Sequence, residues 1–192
     1  ALYAVKVDGA GLKVWLETSA RRFNTIDPTK MEAQQLVNGA VPSYNFDTVT
    51  DSAIGYEIDV TQPPGQRIRK LTLNGAPVDP GQEFIVATNN YRATSGKSFI
   101  DKLDGSGTIW ASPDANRDVV ISYIKAHPQV TRAANGSAKS WRFARTPTAG
   151  KVLFSGGPNA LGVAQAAGLT NIALEQADDG AGRSVYSIDL GR

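Results

Sequence analysis

Asn74-Gly75 constrains this chain more than any other step in it. The pair closes a strand-like run over residues 67–73, Arg-Ile-Arg-Lys-Leu-Thr-Leu. An Asn-Gly step tolerates positive φ at both central positions of a two-residue loop, so a hairpin is expected there. Further strand-like runs fall at residues 2–7, 44–46, 54–60, Glu83–Asn89 and 141–143. Between them, Asp8 is placed to cap a helix whose apolar residues Leu12, Trp15, Leu16, Ala20 and Phe23 follow the helical period. Ser112-Pro113 reads as the start of a second helix, with Val120, Tyr123, Ile124 and His127 on one face and Pro128 ending it. Residues 151–190 read as strand, helix over 159–167 ended by Gly168, strand, strand. Hairpins mixed with separated helices predict an α+β fold: a mixed β-sheet with a few packed helices. The expected organisation is a main domain over residues 1–145 and a small βαββ annex over 146–192.

A chain of 192 residues and 20.4 kDa can bury about 70% of its unfolded surface without a disulfide or metal. With 20 basic against 18 acidic residues and no long run of either, a surface for a nucleic-acid polymer is not expected. No cysteine is present, which removes thiolate chemistry and disulfides from consideration. No apolar run approaches the ~20 residues that span a bilayer. The chain opens at Ala1 inside a strand-like run without a methionine, so it is expected to be a piece of a longer protein.

The richest candidate site is the end of the Glu83–Asn89 strand, which runs into Asn90-Tyr91-Arg92-Ala93-Thr94-Ser95-Gly96-Lys97. That order suits a planar, polar ligand such as a nucleobase. Tyr91 offers a π-face, and Asn89 and Asn90 offer donors and acceptors for a base edge. Gly96 permits close backbone approach, and Arg92 or Lys97 can meet an anion. Each also has a plainer reading: Tyr91 as a sheet-edge ring with its hydroxyl in water, and Asn89 and Asn90 as turn caps. Tyr44 and Asn45 divide between a pocket role and strand core or edge.

Elsewhere the sequence mostly excludes. His127 is the single histidine, too few for a binuclear metal centre of the usual kind. Asp8-Gly9-Ala10-Gly11 lacks the rest of a phosphate loop and reads as a turn and helix cap. Glu57 and Asp59 share one strand face, either as an acid pair or as a solvated face, with Asp47 and Asp51 nearby in sequence.

Several collinear motifs resemble one family. These are Leu2 to Glu17 (Leu-Tyr-x-Val-Lys-Val-x-Gly-x-x-Leu-Lys-x-Trp-Leu-Glu), Phe-Asn-x-Ile-Asp-Pro from Phe23, and Tyr44-Asn45-Phe46-Asp47. Arg-Ile-x-x-Leu-Thr-Leu-Asn-Gly-x-Pro-Val-Asp-Pro from Arg67, Ala-Thr-Asn-Asn-Tyr-Arg-Ala from Ala87, Ser112 to Arg117 and Trp141 to Ala144 continue the series. Together they resemble the C-terminal domain of the 5′-nucleotidase family, on the branch of the periplasmic 2′,3′-cyclic-nucleotide 2′-phosphodiesterase/3′-nucleotidases.

The resemblance implies a nucleotide-binding domain of a hydrolase, periplasmic or extracellular. A preceding metallophosphoesterase domain of the same chain would hold two divalent metals, with none bound here. Tyr91 would be one of two rings that sandwich the base, the other lying upstream of this chain, so the piece alone is expected to be inactive. The 5′-nucleotidase branch carries an acid in the following loop where this chain has Lys97. A lysine suits a phosphate at the ribose 2′ and 3′ oxygens. The alternatives are a 5′-nucleotidase or nucleotide-sugar hydrolase parent, or a non-catalytic interaction domain.

Overall fold

The computed structural model describes residues 1–95 and 105–192. They form mixed sheets with a few helices, an α+β fold, divided into two compact units of interleaved segments.

The first unit comprises Ala1–Thr18, Asp47–Tyr56 and Lys70–Trp141. Its central strand β1 (Leu2–Asp8) lies between β6 (Glu83–Asn89) and β7 (Thr108–Ala111), antiparallel to both. The register sets Val5 opposite Val86. The two-residue period then turns Tyr3, Val5, Val7 and Val86 to one face, where they meet Trp15 and Ala93. Trp15 belongs to α1 (Gly9–Ala20), which starts as expected at Asp8, whose Oδ1 accepts the Gly11 N–H at 2.6 Å. The helix stops at Ala20, so Phe23 lies beyond it and pairs with Val37 in an isolated bridge.

The second unit comprises Ser19–Phe46, Glu57–Arg69 and Arg142–Arg192. Its sheet has the order β10 (Ile172–Gln176), β11 (Ser184–Ile188), β9 (Val152–Gly156), β2 (Gln34–Gln35), with β2 parallel to β9 and the rest antiparallel. Residues 146–192 do contain strand, helix, strand, strand, and they share this unit with Ser19–Phe46 and Glu57–Arg69. The helix α4 (Ala160–Ala166) ends where Gly168 takes φ +78°, with Leu169 N–H donating to Ala164 O and Gly168 N–H to Gln165 O. That pair of bonds is the Schellman closure, which favours glycine. Tyr186 is fully buried, its hydroxyl donating to Gly157 O at 2.7 Å.

A third sheet has the order β5 (Ala76–Pro77), β4 (Ile68–Leu73), β3 (Ile54–Ile58), β8 (Trp141–Phe143). Its hairpin turns at Asn74 and Gly75, with φ of +50° and +81° and Leu73 opposite Ala76.

Two expectations are corrected. Residues 44–46 are not a strand; Ser43–Asn45 form one turn of 3₁₀ helix after Pro42 at φ −58°. Phe46 then leaves the turn to pack edge-on against Phe23, which also meets Phe143 edge-on. The second long helix, α3 (Asn116–Ala126), begins four residues later than Ser112. Ser112 Oγ accepts the Asp114 N–H in a turn that precedes the helix.

Tyr56 on β3 is buried, and burial pushes its phenol up to about 12 against hydrogen bonds to Val49 and Ser140 that lower it. An unfolded tyrosine ionises near 10. The unfolded state therefore loses its proton first, and the stability held by the neutral phenol falls as pH rises from about 10 to about 12. Unfolding free energies from urea titrations should decline less across that window in Tyr56→Phe than in wild type, by about 2–3 kcal/mol at most. Parallel curves would contradict this assignment.

Candidate functional site

Strand β6 hands its last residue directly to a single helical turn. Asn89 is still extended (φ −85°, ψ 161°), and its Oδ1 accepts the Arg92 N–H at 2.7 Å, so it caps α2 (Asn90–Ala93). This is the capping role, and it engages the amide oxygen. Asn90 ties the turn to the start of β1: its N–H donates to Ala1 O at 2.9 Å, and its Oδ1 accepts from the Ala1 nitrogen at 2.9 Å. The Asn90 carbonyl accepts both the N–H and the hydroxyl of Thr94.

One turn of helix has an inner and an outer half. Arg92 and Ala93 form the inner half and are buried; Asn90 and Tyr91 form the outer half. The Tyr91 ring is 64% exposed, a large aromatic held out of the core by a turn whose other side is packed. Ser95 Oγ donates back to Arg92 O at 3.0 Å, which fixes the chain just past the turn. Gly96 and Lys97 lie outside the described residues.

Arg92, expected to face an anion on a ligand, is instead turned inward and only 5% exposed. Its Nε lies 2.6 Å from Asp47 Oδ2, and Nη2 donates to Asp47 Oδ1 at 3.1 Å. A planar guanidinium matches a carboxylate two-pronged in this way. The same carboxylate accepts the Trp15 Nε1–H at 2.7 Å. Asp47 and Trp15 thus join the candidate residues at this turn, and both stand in the motifs that carry the resemblance.

The other two candidates belong to the second unit. Tyr44 is 70% exposed in the 3₁₀ turn, and Asn45 follows it there, half-buried. Asn89, Asn90, Tyr91 and Arg92 are thus gathered in one turn, and Tyr44 and Asn45 in another.

The carboxylates near Asp47 in sequence do other work. Glu57 is neither half of an acid pair nor a solvated group: it is buried, and Arg142 donates to its Oε1 through Nη2 at 2.6 Å and Nε at 3.1 Å. Asp59 Oδ1 accepts from Thr61 N–H and Oγ1, and Asp51 Oδ1 from Ala53 N–H. His127 stacks on Tyr123 with ring centroids 4.0 Å apart, its Nδ1 2.8 Å from Tyr123 O. Among the described residues no group of three or more His, Cys, Asp or Glu is placed to hold a metal ion. The described residues therefore do not fit a two-metal hydrolytic centre. The geometry suits recognition: one exposed ring on a braced turn, beside amides.

Comparison with known proteins agrees in kind. The model of the family described as 5′-nucleotidase, C-terminal domain, matches residues 1–104. The chain is 36% identical to a 2′,3′-cyclic-nucleotide 2′-phosphodiesterase/3′-nucleotidase of Haemophilus influenzae over all of its length and 31% of that protein. It is 43% identical to one so named from Yersinia enterocolitica, over 74% of this chain and 24% of that protein. The chain thus spans 24% and 31% of the length of these curated relatives. The crystal structure of a Staphylococcus aureus protein assigned as a 5′-nucleotidase superposes with a TM-score of 0.57, at 20% identity over 74% of this chain and 27% of that one. At that identity the likeness speaks for the fold.

Proposed function

Because the chain belongs to the 5′-nucleotidase C-terminal-domain family, we propose that it is the nucleoside-recognition part of a longer phosphohydrolase acting on 2′,3′-cyclic nucleotides and 3′-nucleotides. The observation that carries this reading is Tyr91, an exposed ring on a turn whose opposite side is buried. Such a ring presents its face to a ligand and contributes little to the core. Stacking a base on it contributes ~1–3 kcal/mol and tolerates any base, since every base has a π-face. The relatives' names supply the substrate class. Lys97 fits that class by charge, since a lysine beside a ribose phosphate attracts where an acid would repel.

Bond cleavage is assigned to the part of the longer protein outside this chain, together with any metal ions it uses. The residues here bind and orient. Asn89 and Asn90 shape the turn, and Tyr91 meets the base.

In the full-length protein, Tyr91→Ala should raise KM for 2′,3′-cyclic AMP and 3′-AMP roughly tenfold, the equivalent of lost stacking. Tyr91→Phe keeps the π-face and should raise KM by less than about twofold. Melting temperatures of both should stay near wild type. Unchanged kinetics with a melting temperature many degrees lower would assign the ring to packing and overturn the reading.

A further inference from the structure

Three segments distant in sequence meet at one carboxylate. Trp15 comes from α1, Asp47 from the loop after the 3₁₀ turn, and Arg92 from α2. Asp47 Oδ2 accepts the indole N–H at 2.7 Å and lies 2.6 Å from Arg92 Nε, while Oδ1 accepts from Arg92 Nη2 at 3.1 Å. The indole ring is itself buried in the cluster with Val5 and Ala93, so its N–H is aimed by packing.

A helix of four residues cannot hold its own shape. Nucleating a turn fixes several dihedrals for one hydrogen bond, and short helices gain nothing from propagation. The orientation of α2 therefore comes from what grips it. Among the described residues the grips include the Asn89 cap on Arg92 N–H, the tie of Asn90 to Ala1, Ala93 packed on Val5 and Trp15, and the ion pair of Arg92 with Asp47. The first three are a single cap, a tie at the N-terminal end and a methyl contact, and they hold the guanidinium end of the turn less firmly against roll. The two-pronged ion pair resists rolling, because rotation would break the match of guanidinium to carboxylate. Tyr91 precedes Arg92 on that single turn, so any roll swings its ring.

We propose that Asp47, held by Trp15 and joined to Arg92, is a positioning residue that sets the pose of the Tyr91 ring and governs ligand affinity without touching the ligand. The proposal rests on the reading of Tyr91 as the base platform. It gives Arg92 a role as a strut between the carboxylate and the ring.

A double-mutant cycle on the full-length protein tests it, with 2′,3′-cyclic AMP as substrate. Asp47→Asn keeps the size of the side chain and an acceptor for the indole but removes the charge that orients the guanidinium. It should raise KM roughly threefold to tenfold and change kcat by less than about twofold, because a misplaced platform weakens binding and leaves the reacting groups alone. In a Tyr91→Ala background the same change should raise KM no further, since residues that act through one another are not additive. Asp47→Glu, which restores the charge, should recover part of the affinity.

A KM raised by the same factor with and without the Tyr91 ring would overturn the proposal while leaving the platform reading intact. So would a folded Asp47→Asn protein with wild-type KM. If Tyr91→Ala alone left KM unchanged, the platform reading would fail first and the proposal with it. Should Asp47→Asn not fold, Trp15→Phe deletes the indole donor and keeps an aromatic ring in the core. It should raise KM about twofold to threefold, again only when Tyr91 is present, and no rise would overturn the proposal.

Discussion

Arg67→Met should lower the melting temperature by roughly 10 °C, given a cost of about 3–5 kcal/mol in a chain of this size. Arg67 is only 1% exposed. Its Nη1 donates to Ala20 O at 2.8 Å and Phe23 O at 2.7 Å, its Nη2 to Thr25 Oγ1 at 2.9 Å and its Nε to Gln62 O at 2.9 Å. Ala20 is the last residue of α1, so the cation also meets the negative end of the helix dipole. Methionine fills much of the volume but donates nothing, and the backbone carbonyls cannot be removed with the arginine. Each buried acceptor left without a donor costs about 1–3 kcal/mol, partly offset because a charge no longer has to be desolvated. Arg67→Lys keeps the charge and loses the fork, so its melting temperature should fall between the other two. A thermal melt within about 2 °C of wild type for Arg67→Met would show that the carbonyls find other donors.

The 192-residue chain alone should release no more product than buffer from 2′,3′-cyclic AMP, 3′-AMP or bis-p-nitrophenyl phosphate, with manganese or cobalt present. The full-length protein should turn over the first two. Hydrolysis of a phosphate monoester such as 3′-AMP is among the slowest uncatalysed reactions, and acceleration by up to ~10²¹ requires groups that create a nucleophile and stabilise charge in flight. Here the imidazole is stacked on Tyr123, Glu57 is paired with Arg142, and Asp51 and Asp59 close turns. Product release proportional to the concentration of purified chain, persisting through a sizing column, would contradict this.

What could be read from the sequence was local. Asn74-Gly75 announced the hairpin because positive φ at two adjacent residues is a property of those residues. Asp8 and Gly168 marked their helix ends for the same reason. Residues 44–46 looked like a strand on propensity, and the Phe46–Phe23 contact that favours a turn comes from a partner 23 positions away.

The candidate site divides the same way. Tyr91 and the Asn89 cap stand at the end of a legible strand, so their placement followed from local order. The inward turn of Arg92 did not, because Asp47 lies 45 residues away in the chain. Nor did the burial of Arg67 and Glu57, since a charged residue in a strand reads as solvated until its distant partners are known.

The interleaved segments carry a consequence for synthesis. Each unit takes residues from at least three stretches of the chain, and the first needs Lys70–Trp141 while the second needs Arg142–Arg192. A ribosome adds about 5–20 residues per second, so the early segments Ser19–Phe46 and Glu57–Arg69 emerge seconds before the strands β9, β10 and β11 of their unit exist. During that interval Phe23, Ile26 and Leu36, all buried in the finished fold, have no completed core to enter. The nascent chain should therefore bind holding chaperones until its last quarter has been made, and slowing translation should lengthen that exposure rather than help the units fold one at a time.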